Sequence, residues 1–473
     1  MKRVLLPVAL LLAASCSTPP PPRATDAQPS VALPPHYLAA PPDADGALTT
    51  DWWRQFGDPD LDAAIAAALA ENRDLQGSAA RLEAALANAT LAGAAALRQV
   101  DASLDAARAR RLFLGFPFGG GGVPSSTTTT FGAALNVRWE LDLWGRVRSG
   151  EQAAIAEAEA AANRHDAARL SLAGQTAKAY FATVEARQQL ALAIASTDSI
   201  RGTTDDVRDR YRRGLRPALD AHLAETNLAN AEASVALRRE QLQRALRQLD
   251  LLCGRYPAAA ANGAAVLPDR LPPVPTRLPA ELLQRRPDLA AAERTLAAAG
   301  CRVDTARAAL YPRLSLTASA GTNSTEFGDL VDEDFRVFSL GANLLQPLFA
   351  GGALRAEVAQ QQARQRAAIA DYQQAVLVAF AEVENALGAT LELDRRQLDL
   401  ARAARSAAAA RDLARDRWQQ GLTDFLAVAD GQRQAFTAEA NRIAVARQRL
   451  DNHIDLVLAL GGGYAATGAG DQP

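Results

Sequence analysis

Residues that usually carry chemistry are scarce in this chain. There are four histidines, three cysteines and one methionine in 473 residues. His36, His165, His222 and His453 stand alone, and no CxxC or zinc-ligand spacing occurs, so no metal centre is legible. The only methionine is Met1, which excludes a methionine-rich copper relay. No GxSxG, HExxH or dinucleotide fingerprint is present, and the GGGG at 119–122 lacks the GK[ST] of a phosphate loop. No catalytic residue, cofactor or metal site is therefore expected. Net charge is −2, with arginines spread at helix spacing, which excludes the global basic field that nucleic acid requires. Beyond Ala14 there is no run of 18 uncharged apolar residues. If the chain crosses a membrane, it does so as a β-barrel. Aromatics are only 5%, whereas alanine recurs in runs such as AAIAAALA. Alanine favours helix but buries little area, so such helices pack closely and gain little each.

The first residues read as a processing signal. Lys2 and Arg3 precede a short apolar stretch from Val4 to Ala14, too short for a mature span. Ala-Ala-Ser-Cys at 13–16 resembles a bacterial lipobox, which makes 1–15 a signal peptide and Cys16 the lipidated N-terminus. Residues 16–50 are proline-rich and polar and read as a tether. The other cysteines, Cys253 and Cys301, sit in helix-like contexts, either as packed thiols or as a pair.

The body contains its own copy. RDRYRRGLRPALDAHLAE from Arg208 answers RDRWQQGLTDFLAVADGQ from Arg415. Gly214 and Gly421, Gly254 and Gly461, and Gly145 and Gly352 all lie 207 residues apart. The repeats are 51–254 and 285–461, joined by a six-proline crossover at 255–284, with a tail at 462–473. Each reads as helix, two strands, long helix, turn, helix. Helix periodicity runs over 60–99, 146–203 and 205–253, and over 286–309, 353–412 and 414–460. About 58 residues make close to 90 Å of helix, more than any compact globule needs. Gly214 and Gly421 mark the turns between paired helices.

Strands are expected at about 100–112, 129–144, 312–322 and 335–348. From Phe131, apolar residues alternate with polar ones through Ala133, Leu135, Val137, Trp139, Leu141 and Leu143. Leu314, Leu316, Ala318 and Ala320 repeat the pattern, as do Val100, Ala102 and Leu104, and Phe338, Leu340, Ala342 and Leu344. About ten residues tilted by about 40° reach the roughly 25 Å of an outer-membrane apolar band. Four strands cannot close a barrel, so the chain must oligomerise. Two copies give eight strands and three give twelve; strand physics alone does not choose. Trp139 and Trp144 either anchor at a membrane interface or pack.

Several strings resemble the TolC-like outer-membrane efflux family, in particular its NodT-like lipoprotein branch that serves RND-type pumps. They are DWWRQFGDPDLDAAIAAAL (51–69), WELDLWGRVR (139–148), LLQRRPDLAAAERTLAAA (282–299), ARAALYPRLSLTASAG (306–321), LLQPLFAGGALRAEV (344–358), AFAEVENAL (379–387) and RWQQGLTDFLAVADGQR (417–433). The resemblance implies a mainly α protein with a transmembrane β-barrel. It would be a homotrimer with a shared 12-stranded barrel and a long periplasmic helical tube, to whose equatorial belt the crossover contributes. It implies an outer-membrane exit duct, not an enzyme, that passes small molecules outward. Its partners would be a periplasmic adaptor, an inner-membrane RND pump and outer-membrane lipid. A periplasmic coiled-coil adaptor lipoprotein is the alternative; it would need a β-rich lipoyl-like unit and would lack two amphipathic hairpins.

By the same resemblance, Leu426 and Asp430 match a periplasmic gate near the turn at Gly421. Spacing i, i+4 puts them on one helix face. Three Asp430 carboxylates at a trimer axis would form an acidic ring. Gly431 stands where the family usually has alanine, which would loosen the helix beside that ring. Asp220 aligns with Ala427 and takes no gate role, and Tyr211 and Trp418 align as packing residues at the tips, with adaptor contact as the alternative.

Overall fold

The computed structural model describes residues 37–39, 49–113, 123–260, 263–274 and 285–463. Cys16, the signal segment, most of the tether, residues 275–284 of the crossover and nearly all of the tail lie outside them. The chain order is α1 (Pro59–Glu71), α2 (Arg73–Ala94), β1 (Gln99–Leu112), β2 (Ser125–Leu141), α3 (Arg146–Arg212) and α4 (Ala218–Leu252). It continues with α5 (Pro287–Ala308), β3 (Arg313–Ser324), β4 (Arg336–Leu345), α6 (Ala353–Gln419) and α7 (Phe425–Ala459). The repeated order expected from the sequence is present: α3 and α6 have 67 residues each, and α4 and α7 have 35 each. At 1.5 Å per residue, each long helix contains about 100 Å of helical rise.

Several boundaries differ from the periodicity. The long helices run to Arg212 and Gln419, past the expected ends at 203 and 412. Thr203 and Thr204 look like a break but lie buried inside α3. The Thr204 hydroxyl donates to the carbonyls of Ile200 (2.8 Å) and Ala224 (3.2 Å), so its polarity is satisfied within the packing. Conversely, the expected helix over 60–99 is two helices. Asn72 separates them: its Oδ1 accepts from the Leu75 amide at 3.1 Å, and its Nδ2 donates to the Leu252 carbonyl at 3.0 Å. β2 starts at Ser125, because the Ser/Thr run of 125–130 pairs with the end of β1 instead of forming loop. β2 and β4 end at Leu141 and Leu345, short of the expected 144 and 348, so Leu143 lies outside the strand.

Two compact units emerge. The first contains Leu82–Ala161 and Ala292–Tyr372, and so all four strands. They form one antiparallel sheet in the order β1-β2-β3-β4, and among the described residues the outer edges of β1 and β4 have no partner strand. Register keeps the apolar set on one face: Val100 pairs with Val137, Leu135 with Ala320, Leu316 with Ala342 and Ala318 with Leu340. A soluble sheet would cover this face, yet Leu104, Phe338 and Leu340 are 68%, 89% and 83% exposed. The other face is polar. Asn136 Nδ2 donates to Asp101 and Ser103, both at 3.3 Å, and Arg138 pairs with Asp101 at 3.2 Å.

The apolar band is not level with the ladder. On β3 and β4 it runs from the Leu314–Leu344 pair to the Ala320–Phe338 pair. On β1 it runs from Val100 to Ala106; Val100 is level with Ala318, and Ala106 with Phe131 and Ser324. Both ends have climbed four residues across the sheet. At the helix end of this face, Arg98 stacks over the Trp139 ring at 5.0 Å, and Trp139 donates to the Ala96 carbonyl. Trp144 stacks on Tyr311 with centroids 5.0 Å apart.

The second unit holds Ala162–Ala291, the described residues before Leu82, and those after Tyr372. Its core gathers Trp52, Leu61, Ile65, Tyr180, Phe181, Leu450 and Ile454 from both repeats. The close packing that alanine-rich helices require shows at Gly254 and Gly461, where an added Cβ would lie 2.3 Å from the Glu71 carbonyl oxygen and 2.1 Å from that of Arg285. These repeat-related glycines let each short helix end directly against the backbone that opens its repeat. Cys253 and Cys301 are free, buried thiols, and burial pushes both above the usual thiol range.

His453 lies buried in this second unit, edge-on to Phe56 at 5.7 Å. Burial first, then Arg449, pull its pKa down to about 4. Such a histidine is neutral when folded and takes up a proton on unfolding, so its contribution is complete above about pH 6.5 and declines as pH falls toward about 4. Urea unfolding of the helical unit should therefore show stability falling across that window, and His453→Gln should flatten the slope. An unchanged slope would show that His453 does not set it.

Candidate functional site

The α3–α4 and α6–α7 turns are built alike. At the first, Gly214 has φ +74°, its N–H donates to the Tyr211 carbonyl at 2.9 Å, and the Leu215 N–H reaches Arg210 at 2.8 Å. At the second, Gly421 has φ +77°, with bonds to Trp418 at 3.0 Å and from Leu422 to Arg417 at 2.8 Å. Both are Schellman caps, which need a left-handed residue at this position. The helices that follow differ. Asp424 caps α7 by accepting from the Ala427 amide at 3.0 Å, whereas Pro217 precedes α4 without a side-chain cap.

The two tips share a small core of Val207, Ala221, Ala224, Trp418, Phe425 and Val428. Trp418 is 1% exposed, and Arg210 from the other repeat lies 4.2 Å above its ring. The alignment of Tyr211 with Trp418 does not carry over into packing, since Tyr211 is half exposed.

Burial of Phe425, Val428, Gln432 and Ala435 sets the rotation of α7 and turns Leu426 and Asp430 outward together. Leu426 is 59% exposed. Both line a groove of about 480 Å³ with Ile200, Leu223, Arg433 and Phe436, so residues of both repeats meet at the predicted pair. Asp430 is not a bare carboxylate. It accepts from Arg433 Nη2 and from Gln434 Nε2, each at 2.5 Å. The Arg433 bond first, and Gln434 with it, hold the carboxyl below the usual aspartate range. The sequence reading missed these partners, although the string DGQR places Arg433 one turn from Asp430.

Gln432 is the buried residue of this turn. Its Nε2 donates to Thr203 Oγ1 at 3.0 Å and to Ser199 Oγ at 3.3 Å, which ties α7 to α3 behind the exposed pair. Gly431 does not loosen the helix as expected: α7 is continuous through it. A Cβ there would come within 3.3 Å of Arg411 Cα, so the glycine serves the close approach of α6 and α7. Asp220 lies in the first turn of α4. Four leucines, Leu215, Leu219, Leu422 and Leu426, stand exposed around the two turns. Among the described residues no group of His, Cys, Asp and Glu has metal-binding geometry.

Comparison with known proteins decides the class. The profile described as "Outer membrane efflux protein" matches residues 64–255 and 278–462. The chain belongs to the outer membrane efflux protein family. That is a family of channels and not of enzymes, and the match over both repeats sets aside the adaptor alternative. The chain is 34% identical over 468 residues to the pyoverdine export outer membrane protein OpmQ of Pseudomonas aeruginosa, covering 97% of this chain and 96% of the relative. It is 31% identical over 420 residues to the toluene efflux pump outer membrane protein TtgF of Pseudomonas putida, covering 88% and 85%. The solved outer-membrane channel OprN superposes with a TM-score of 0.85 at 28% identity, over 94% of this chain and 99% of that one. The fold is thus TolC-like, mainly helical, with two repeated halves and four antiparallel strands per chain. The protein is an outer-membrane channel of an efflux pump that exports small molecules.

Trp418 fills the shared tip core, so Trp418→Ala should cost about 3 kcal/mol there. Hydrogen exchange should accelerate in 205–225 and 412–432 while the amides of the sheet stay protected. Uniform acceleration, or none, would contradict a local tip core.

Proposed function

We propose that this channel works as a lipid-anchored homotrimer, the exit duct of a tripartite system with a periplasmic adaptor and an RND-type pump. The observation that carries the trimer is the sheet, whose apolar face is exposed and whose two edges are open. The four-residue climb of the apolar band is about 13 Å along three strand spacings of about 14 Å, which sets the strands about 40° from the membrane normal. On β2 the band from Leu141 to Phe131 then stands about 25 Å tall, the thickness it has to cross. Twelve strands at that tilt leave a lumen; eight leave room for little beyond side chains. Trp139, Trp144 and Tyr311 act as the interfacial girdle on the helix side.

The remaining assignments follow this reading. Cys16 bears the lipid, including palmitate, with 1–15 removed and 16–50 as tether. Residues 51–254 and 285–461 are the two repeats, 255–284 the equatorial crossover, and 462–473 a tail. The exposed tip leucines suit an adaptor that seals the periplasmic end. Leu426 and Asp430 form the gate, and opening separates them from their symmetry mates. The pump brings the energy; the duct itself is passive.

Single-channel currents across a planar bilayer test the gate. Arg433 offsets the Asp430 charge. Asp430→Ala should therefore shift the reversal potential toward anions, and Arg433→Gln toward cations. Because its carboxyl is depressed, Asp430 keeps its charge through the ordinary aspartate range and loses it only below that range. In Arg433→Gln that loss should move to higher pH. Discrete channels with the same selectivity in all three proteins would remove Asp430 from the gate.

A further inference from the structure

The sheet face that is apolar at mid-height turns basic toward the loops. Along β1 the residues of this face are Val100, Ala102, Leu104 and Ala106, and then Arg108 and Arg110. Along β4, read from its helix end, they are Leu344, Ala342, Leu340 and Phe338, and then Arg336. Alternation along a strand fixes this assignment. Arg108 and Arg336 are each the first position on this face beyond the apolar band. Because the band climbs four residues between β4 and β1, the two lie at one membrane depth. Thr129, opposite Arg108, and Thr322, opposite Arg336, occupy the strands between them. No strand position of this face at the loop end holds a carboxylate.

Contacts leave this charge available. Arg110 Nη2 donates to Ser125 Oγ at 3.1 Å. Arg336 is bonded to Glu333 of the loop at 2.5 Å but is 65% exposed. Among the described residues no carboxylate pairs with Arg108 or Arg110, and both are exposed. Arginine on a lipid-facing strand is costly at the midplane and tolerated at headgroup height. Its planar fork matches phosphate oxygens two at a time.

We propose that Arg108 and Arg110 of one protomer, with Arg336 of the next, bind the phosphate groups of an outer-leaflet lipid. The inference rests on the barrel reading above. Closing the barrel sets the β4 edge of one chain beside the β1 edge of its neighbour, so the site lies at each seam and needs two copies. A lipid bound there carries its acyl chains down the apolar band, over the seam that no single chain covers. It therefore both solvates the barrel and bridges protomers.

The test uses the purified full-length trimer in detergent, with native mass spectrometry to read bound lipid. The probes are bis-phosphorylated lipid A, the same lipid with its phosphates removed, and inorganic phosphate as competitor. The wild type should hold the phosphorylated lipid at least about tenfold more tightly than the dephosphorylated one. Arg108→Gln/Arg110→Gln should lose that preference, whereas Arg111→Gln, on the opposite face, should keep it. Arg108→Lys/Arg110→Lys retains the charge without the fork and should fall between, which gives a second reading if the glutamine variant fails to assemble. Millimolar inorganic phosphate should not displace the lipid, since the acyl chains hold it. Equal binding of both lipids by the wild type, an unchanged preference in the glutamine or lysine variant, or displacement by free phosphate would each overturn the site. Channel currents from the same preparations report the barrel separately, so a wild type that forms channels but shows no lipid preference counts against this site alone.

Discussion

Backbone hydrogen bonds cannot be left open in hydrocarbon, and the rest of this molecule follows from that. A strand edge inside a bilayer exposes N–H and C=O groups that no water can reach. The sheet has two such edges, on β1 and β4, and no described strand of the chain covers them. In the proposed closure, copies of the same chain would satisfy every ladder position; within each chain a long helix follows β2 and another follows β4. The internal repeat makes this economical. Each half contributes one hairpin and one helical pair, so in the proposed trimer a short unit used twice per chain and repeated by symmetry would enclose a duct.

The same economy explains the composition. A duct needs long, closely packed helices and a thin lipid-facing band, and it needs neither a catalytic cluster nor a large aromatic core. Alanine and glycine allow the approach seen at Gly254, Gly461 and Gly431. The few large side chains are concentrated where packing must be unique. Trp52, Tyr180 and Phe181 lock the second unit, and Trp418 locks the tips together. Burial does the sorting along the tip helix. Phe425, Val428 and Gln432 turn inward, and this alone directs Leu426 and Asp430 outward.

Much of the fold was legible because its signals are periodic. The 207-residue spacing revealed the repeat, and alternation around Phe131 and Leu314 revealed the strands and their faces. What was not legible depended on tertiary partners. Thr203 and Thr204 suggested a helix end, but their hydroxyls find carbonyls within the packing. Asn72 ends a helix because it reaches Leu252, nearly two hundred residues away in sequence. The Ser/Thr run at 125–130 is strand only because β1 extends far enough to pair with it. The turn glycines were readable from local sequence, since a left-handed cap is a local requirement. The charge balance at Asp430 was equally local, since Arg433 and Gln434 lie three and four residues on along the same helix, yet it was missed.

One quantity is decisive for the barrel, the number of chains in the membrane-extracted complex. Its mass, measured in detergent with bound lipid and detergent stripped in the spectrometer, should correspond to three chains, giving twelve strands. The lumen depends on that number, whereas the strand tilt is set within each chain. A monodisperse dimer, with eight strands and little room inside, or a stable monomer with both sheet edges open, would contradict the account.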